Sequence, residues 1–147
     1  MISCFCYTIC MNKSNIKHAR TCVYNVNYHI VWSVKYRKKV LTVEIENHLK
    51  ELFQEIGQEK GFEVVLSEVG EGDHIRVFAS AHPKVAPSYI VKMLKGISAR
   101  KLFLKFPELK KDLWGGHLWN GSFYLETVGS ISEETYKKYI ENQKKGG

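Results

Sequence analysis

The chain has 147 residues, enough for one well-cored domain and too few for two. Hydrophobic residues make up 44% and charged residues 25%, which excludes a disordered or collagen-like chain. The formal net charge of +7 favours a polyanionic partner, nucleic acid or an acidic membrane surface, over the alternative of a basic but ordinary enzyme.

In chain order, the opening MISCFCYTIC is apolar and carries Cys4, Cys6 and Cys10, with Cys22 following. This C-x-C-x3-C spacing is not the paired C-x-x-C of a zinc site. The stretch lacks a basic start and a small-residue cleavage site, so it does not fit a secretion signal. Residues 1–14 are expected to be an extension outside the fold, and 15–147 a single domain. No cysteine follows Cys22, which suits a reducing cytoplasm. No apolar run approaches the ~18 residues of a membrane span.

Residues 23–34 alternate strictly, with Val26, Tyr28, Ile30 and Trp32 on one face and Asn25, Asn27, His29 and Ser33 on the other, predicting a half-buried strand. The basic KYRKK at 35–39 reads as a loop. Residues 43–60 place Ile45, Leu49, Leu52, Phe53 and Ile56 at helical spacing, closed by Gly57 and Gly61. Segments 62–69 and 74–81 read as strands joined by the Gly70, Gly72, Asp73 turn into a hairpin. A second helix is predicted over 88–106, with Ile90, Met93, Leu94, Ile97 and Leu102 inward and Lys92, Lys95, Arg100, Lys101 and Lys105 outward. A Gly/Trp-rich loop at 113–121 precedes a strand at 122–128. A last helix at 132–144 has Ser132 as its cap and Glu133 and Glu134 in the first turn. The order β-α-β-β-α-β plus a helix matches an α+β, ferredoxin-like (split β-α-β) plan: an antiparallel sheet with two helices on one face. That plan alone names no function.

Certain residues could carry chemistry. His74 and Arg76, two apart on a strand, project from the same face. A His-x-His pair there would hold a divalent metal; here the segment reads His-Ile-Arg. On the last helix Tyr139 and Gln143 are one turn apart, with Tyr136 on the same stripe. A tyrosine phenol can attack a phosphodiester and hold the cut strand covalently. Gln143 offers a hard amide oxygen suited to magnesium or manganese. The competing reading is that these tyrosines pack on the sheet. Lys35, Arg37, Lys38, Lys39, Lys92, Lys95, Arg100 and Lys101 interleave with Tyr36, Tyr89, Trp114 and Trp119. Cations among exposed aromatics suit single-stranded DNA, against the alternative of a solvated helix face and buried tryptophans.

Taken in order, the segments YNVNYHIVWSVKYRKKVL (24–41), EVGEGDHIRVF (68–78), KMLKGISARKLFLKFPELKKDLWGGHLW (92–119) and TVGSISEETYKKYIENQ (127–143) resemble the single-tyrosine HUH transposases of small bacterial and archaeal insertion sequences. The resemblance runs from about residue 15 to 143 and implies a DNA transposase. Such an enzyme cleaves and rejoins single-stranded DNA at hairpin-marked element ends through a 5′-phosphotyrosine. It implies Tyr139 as nucleophile, with Tyr136 outside the match. It implies a Mg2+ or Mn2+ site from His74, a second histidine and Gln143, and a homodimer that completes its sites with exchanged tyrosine helices. DNA contacts are expected from Lys35, Tyr36, Arg37, Lys38, Lys95 and Arg100. The departure is Arg76, which stands at the second-histidine position. Arginine has no lone pair and stays charged, so DNA binding is expected to survive while cleavage falls; the less expected reading is that Arg76 holds the scissile phosphate directly in a metal's place. The alternative function is a catalytically decayed or repurposed hairpin-DNA-binding protein of the same fold. An RNA-binding domain of this plan fits less well, since its strands lack the aromatic-rich motif.

Overall fold

The computed structural model describes residues 16–129. A two-residue pair, β1 (Lys17–His18) with β2 (Val23–Tyr24), precedes the main body. Then come β3 (Asn27–Ser33), α1 (Val43–Lys60), β4 (Phe62–Gly70), β5 (His74–Ala81), α2 (Pro87–Lys105), the short α3 (Leu109–Asp112) and β6 (Tyr124–Val128). The four main strands pair antiparallel in the order β4-β5-β3-β6. That is the ferredoxin-like arrangement expected from the element order.

Alternation sorts the side chains into two faces. Tyr28, Ile30 and Trp32 of β3 and Ile75, Val77 and Ala79 of β5 are buried against Leu49, Phe53 and Ile56 of α1 and Ile90, Leu94 and Leu102 of α2. The intervening residues, including His29, Val31, Ser33, His74 and Arg76, lie on the opposite face. Helix α1 starts where the Thr42 hydroxyl accepts from the Ile45 N–H, and stops at left-handed Gly61, whose N–H donates to the Gly57 carbonyl. Pro87 opens α2 at a position where its missing N–H costs nothing. The core is edge-to-face aromatic at its centre: Trp32 meets Phe53 at 5.9 Å and Trp119 at 5.8 Å.

Trp119, left by the sequence between a stacking surface and the core, is buried, and its Nε1 donates to the Ser98 hydroxyl at 2.9 Å, so it holds the loop before β6 to α2. Lys95, expected to point outward, is half-buried and donates to the carbonyls of Asn120 (2.6 Å) and Ser122 (3.3 Å). Burial also pulls its ammonium below the ordinary lysine pKa. The loop passes beside the middle of α2, where Lys95 donates to two of its carbonyls and Ser98 accepts from its buried indole. The strand expected over 122–128 starts at Tyr124, two residues later. The last helix, with Tyr136, Tyr139 and Gln143, and the cysteines before Cys22 lie outside the described residues. Among the described residues no helix is long and apolar enough to cross a membrane.

Candidate nucleic-acid interface

The face of the sheet away from the helices is not flat. At the end where β3 finishes and β5 and β6 begin, a cleft of about 460 Å3 opens, lined among others by Ser33, Arg37, His74, Arg76, Phe123 and Tyr124. Three local constructions build it.

The first is the hairpin between β4 and β5. Glu71 (φ 54°) and Gly72 (φ 75°) turn the chain, and the hairpin end is tied down by Val34 N–H to the Asp73 carbonyl (2.8 Å) and Leu41 N–H to the Gly72 carbonyl (3.0 Å). Buried Asp73 then accepts from His74 Nδ1 at 2.7 Å, which fixes the ring and turns Nε2 away from the carboxylate. Across the ladder, Gly70 sits in register with His74. A Cβ at Gly70 would land on the Nε2 edge of that ring, so the glycine leaves the space the imidazole occupies.

The second is the turn Lys35–Arg37. Tyr36 (φ 62°) and Arg37 (φ 52°) are both left-handed although neither is glycine, a conformation costing on the order of 1 kcal/mol or more per residue. The turn survives because the chain on either side is stitched in. Lys35 N–H donates to Leu118 O, Asn120 N–H to Ser33 O, and Arg37 N–H back to Val34 O. Its product is a reversal that carries Arg37 to the cleft wall and leaves Tyr36 64% exposed beneath the Lys35 ammonium, 5.6 Å from the ring centre.

The third is the start of β6. Tyr124 donates its hydroxyl to Glu126 Oε2 at 3.0 Å, and Glu126 Oε1 is 3.0 Å from His29 Nδ1, its cross-strand partner in register. The two hydrogen bonds, His29 first, hold the Glu126 carboxyl below the usual glutamate range. Donation to Glu126 and its charge raise the Tyr124 phenol above the ordinary tyrosine value, which makes that phenol a poor nucleophile. Phe123 and Tyr124 remain 45% and 57% exposed.

Arg76 lies between these parts, half-buried, with Val31 and Glu68 as its cross-strand neighbours. The Glu68 carboxylate is instead 3.9 Å from the Lys50 ammonium. Among the described residues the Arg76 side chain makes no hydrogen bond or ion pair. His74 and Arg76 therefore do stand together on the open face. The three-ligand Mg2+ or Mn2+ site is a poor fit to these residues. His74 offers one nitrogen donor, Arg76 offers none and brings a fixed charge, and no group of three His, Cys, Asp or Glu among the described residues could hold a metal ion.

Of the expected DNA-contacting residues, Lys35, Tyr36, Arg37 and Lys38 gather at the strained turn, and Lys38 is exposed. Arg100 is exposed on α2, which covers the opposite face of the sheet. Gly70 and Asp73 were read only as turn residues, and Phe123, Tyr124 and the His29–Glu126 contact were not singled out by the sequence. The i, i+2 spacing of Tyr124 and Glu126 on a strand was the available signal; the pairing with His29 exists only through strand register.

A family profile described as "Transposase IS200 like" matches residues 22–143. The ISDra2 transposase TnpA of Deinococcus radiodurans is 43% identical over 128 residues, covering 87% of this chain and 91% of that protein. The transposase for insertion sequence element IS200 of Salmonella typhimurium is 26% identical over 132 residues, covering 90% and 84%. Among solved structures, a transposase from Deinococcus radiodurans R1 superposes with TM-score 0.70 at 40% identity, covering 86% of this chain and 97% of that one. A REP-associated tyrosine transposase bound to a REP hairpin shares the fold, with TM-score 0.52 and 12% identity over 86% and 69%.

Proposed function

Because the chain belongs to the IS200-like transposase family, we propose that it acts on single-stranded DNA at hairpin-marked ends, with Tyr139 as its nucleophile and with cleavage held low by Arg76. In the first step the Tyr139 phenolic oxygen bonds to the scissile phosphorus as the P–O bond to the 3′ side breaks. The phenol gives up its proton and the departing 3′ oxygen takes one. The product is a 5′-phosphotyrosine and a free 3′-hydroxyl. In the second step a 3′-hydroxyl attacks that phosphotyrosine, remaking a phosphodiester and releasing the tyrosine. One phosphate ester replaces another each time, so the reaction needs no energy source.

The observation that carries this reading is the open-face cleft holding His74 and Arg76 side by side at the two motif positions, with Arg37 on its wall. His74 has its ring oriented by Asp73, as a ligand or phosphate donor must. His74 and Gln143 are the two remaining positions that could share a magnesium or manganese ion; no step above depends on one. The hairpin carried by the REP-associated neighbour supports a hairpin partner by analogy of fold. The reading includes a cytoplasmic homodimer: among the described residues the outer edges of β4 and β6 have no strand neighbour, which is what edge pairing between two copies requires.

A second reading, hairpin binding without cleavage, is favoured by the same Arg76. One assay separates the two. Protein is incubated with single-stranded hairpin DNA and manganese, and covalent adducts are sought on denaturing gels. A weak adduct that vanishes in Tyr139→Phe and rises about tenfold or more in Arg76→His supports the transposase reading. No adduct from wild type, with one from Arg76→His, supports binding alone. An adduct that survives Tyr139→Phe but not Tyr136→Phe moves the nucleophile.

A further inference from the structure

We propose that the open-face cleft is a metal-independent phosphodiester site, in which the guanidiniums of Arg76 and Arg37 clamp one phosphate of single-stranded DNA while Tyr124 stacks the adjoining base. It rests on the DNA reading above and replaces the family's dication with this chain's own charges.

Arg76 carries the argument. It is a half-buried guanidinium with no hydrogen bond or ion pair among the described residues, and its nearest cross-strand acid, Glu68, lies nearer to Lys50. Five N–H donors in a cleft wall require acceptors, and a phosphate oxygen pair fits the planar fork. Arg37 lines the same cleft from a turn that keeps two non-glycine residues left-handed, a strained conformation of the kind that positions functional side chains. Two guanidiniums already contribute two positive charges there. A dication added among them would be repelled, whereas a phosphodiester's single negative charge is attracted.

The far wall selects the kind of phosphate. Phe123 and Tyr124 are large aromatics left open to solvent at the cleft, and Tyr124 is not free to swing: its hydroxyl is held by Glu126, and Glu126 by His29. A fixed ring beside a phosphate clamp is a base platform whose ordering cost is already met by the fold. An unstacked base is required to reach it, so the site takes single strands and disfavours duplex. The cleft volume of about 460 Å3 falls in the range of sites that take small ligands.

The test is fluorescence anisotropy of a labelled, unstructured oligodeoxythymidine at low salt, once in EDTA and once in manganese. Wild type should bind equally in both, within about twofold. In EDTA, Arg76→Ala should weaken binding about tenfold, with Arg76→Lys restoring part of the loss because it returns charge without the fork. Tyr124→Ala should weaken it about fivefold or more, while Tyr124→Phe, which keeps the ring but loses the Glu126 tether, should lose less, about twofold. Melting curves of each variant keep a folding defect from passing as a binding defect. Unchanged affinity in Arg76→Ala, or wild-type affinity that depends on manganese, overturns the clamp. Displacement of the oligonucleotide by low-millimolar inorganic phosphate alone overturns the nucleotide assignment. Failure of wild type to bind hairpin DNA at all sinks the DNA reading beneath it, and is distinguishable because the clamp variants then have nothing to lose.

Discussion

The two faces of the four-stranded sheet come from the same strands, one residue apart, yet they answer to different demands. On β5, Ile75, Val77 and Ala79 are sealed under the helices, while His74 and Arg76, on alternate positions, stand at an open cleft. The covered face gains stability from apolar area removed from water and from close packing. The open face keeps a guanidinium with no partner among the described residues, two left-handed non-glycine residues and exposed aromatic rings, none of which helps the chain fold. Stability and function are thereby separated at a period of two residues, and substitutions on the two faces should separate likewise.

The largest expected effect is on the covered face. Phe53, fully buried against Trp32, should cost about 3–5 kcal/mol when cut to alanine, lowering the melting temperature by roughly 10 °C in a calorimetric scan. A smaller loss, about 1–3 kcal/mol, is expected for Ser98→Ala, which strips the buried Trp119 Nε1 of its acceptor. Equal melting temperatures for Ser98→Ala and wild type would show that this bond contributes nothing.

The sharpest form of the comparison uses one substitution twice. Gly57→Ala, on the covered side, puts a Cβ 2.7 Å from the Phe62 carbonyl oxygen, a backbone atom that cannot move freely, and should destabilise by about 1–3 kcal/mol. Gly70→Ala, on the open side, meets only the edge of the His74 ring, which can swing away. Its stability change should stay below about 1 kcal/mol, while the His74 ring resonances shift and adduct yield falls. A Gly70→Ala variant with wild-type adduct yield would show that the ring position is not used.

The smallest effect is electrostatic and confined to the open face. The Glu126 carboxyl titrates below its unfolded value, so whatever it contributes to stability is present above the unfolded pKa and lost as pH falls through the lower, folded one. The group is solvent-exposed, so the effect should be visible by carboxyl NMR titration and nearly invisible in melting curves. His29→Ala should move the Glu126 midpoint upward, because the hydrogen bond that most favours its charged form is gone. An unmoved midpoint would mean that the Glu126–His29–Tyr124 contact is not maintained in solution.

Most of the covered face was legible before any coordinates. Tyr28, Ile30 and Trp32 declare their side by alternation, and Ile45, Leu49, Leu52, Phe53 and Ile56 by helical spacing, because burial acts on a repeat that a single strand or helix already displays. Val91 and Phe103 joined the core of α2 without being singled out, and Met93 and Ile97 pack only at its margin. A helix wedged between a sheet and another helix buries more than one stripe. On the open face, His74 and Arg76 were visible as an i, i+2 pair. Lys95 was misplaced, and Trp119 left undecided, because their partners, Asn120, Ser122 and Ser98, reach them only through the loop's path.

The sequence by itself therefore determined the order of the four main strands and the two long helices between them, the apolar face of most of these, the family, and an arginine, Arg76, where the resemblance expects a histidine. These are local or collinear properties, written in spacing along the chain. The β1–β2 pair, its separation from β3, and α3 were not foreseen. Only the tertiary structure decided that Arg37 shares a cleft with Arg76, that Asp73 orients His74 over Gly70, and that His29 reaches across the sheet to brace Glu126 and Tyr124. Arg37 reaches the cleft through a turn its own residues disfavour, His74 meets Gly70 through the hairpin ladder, and His29 meets Glu126 through strand register. Such contacts are set by the pairing of one segment with another, and no spacing along one strand records them.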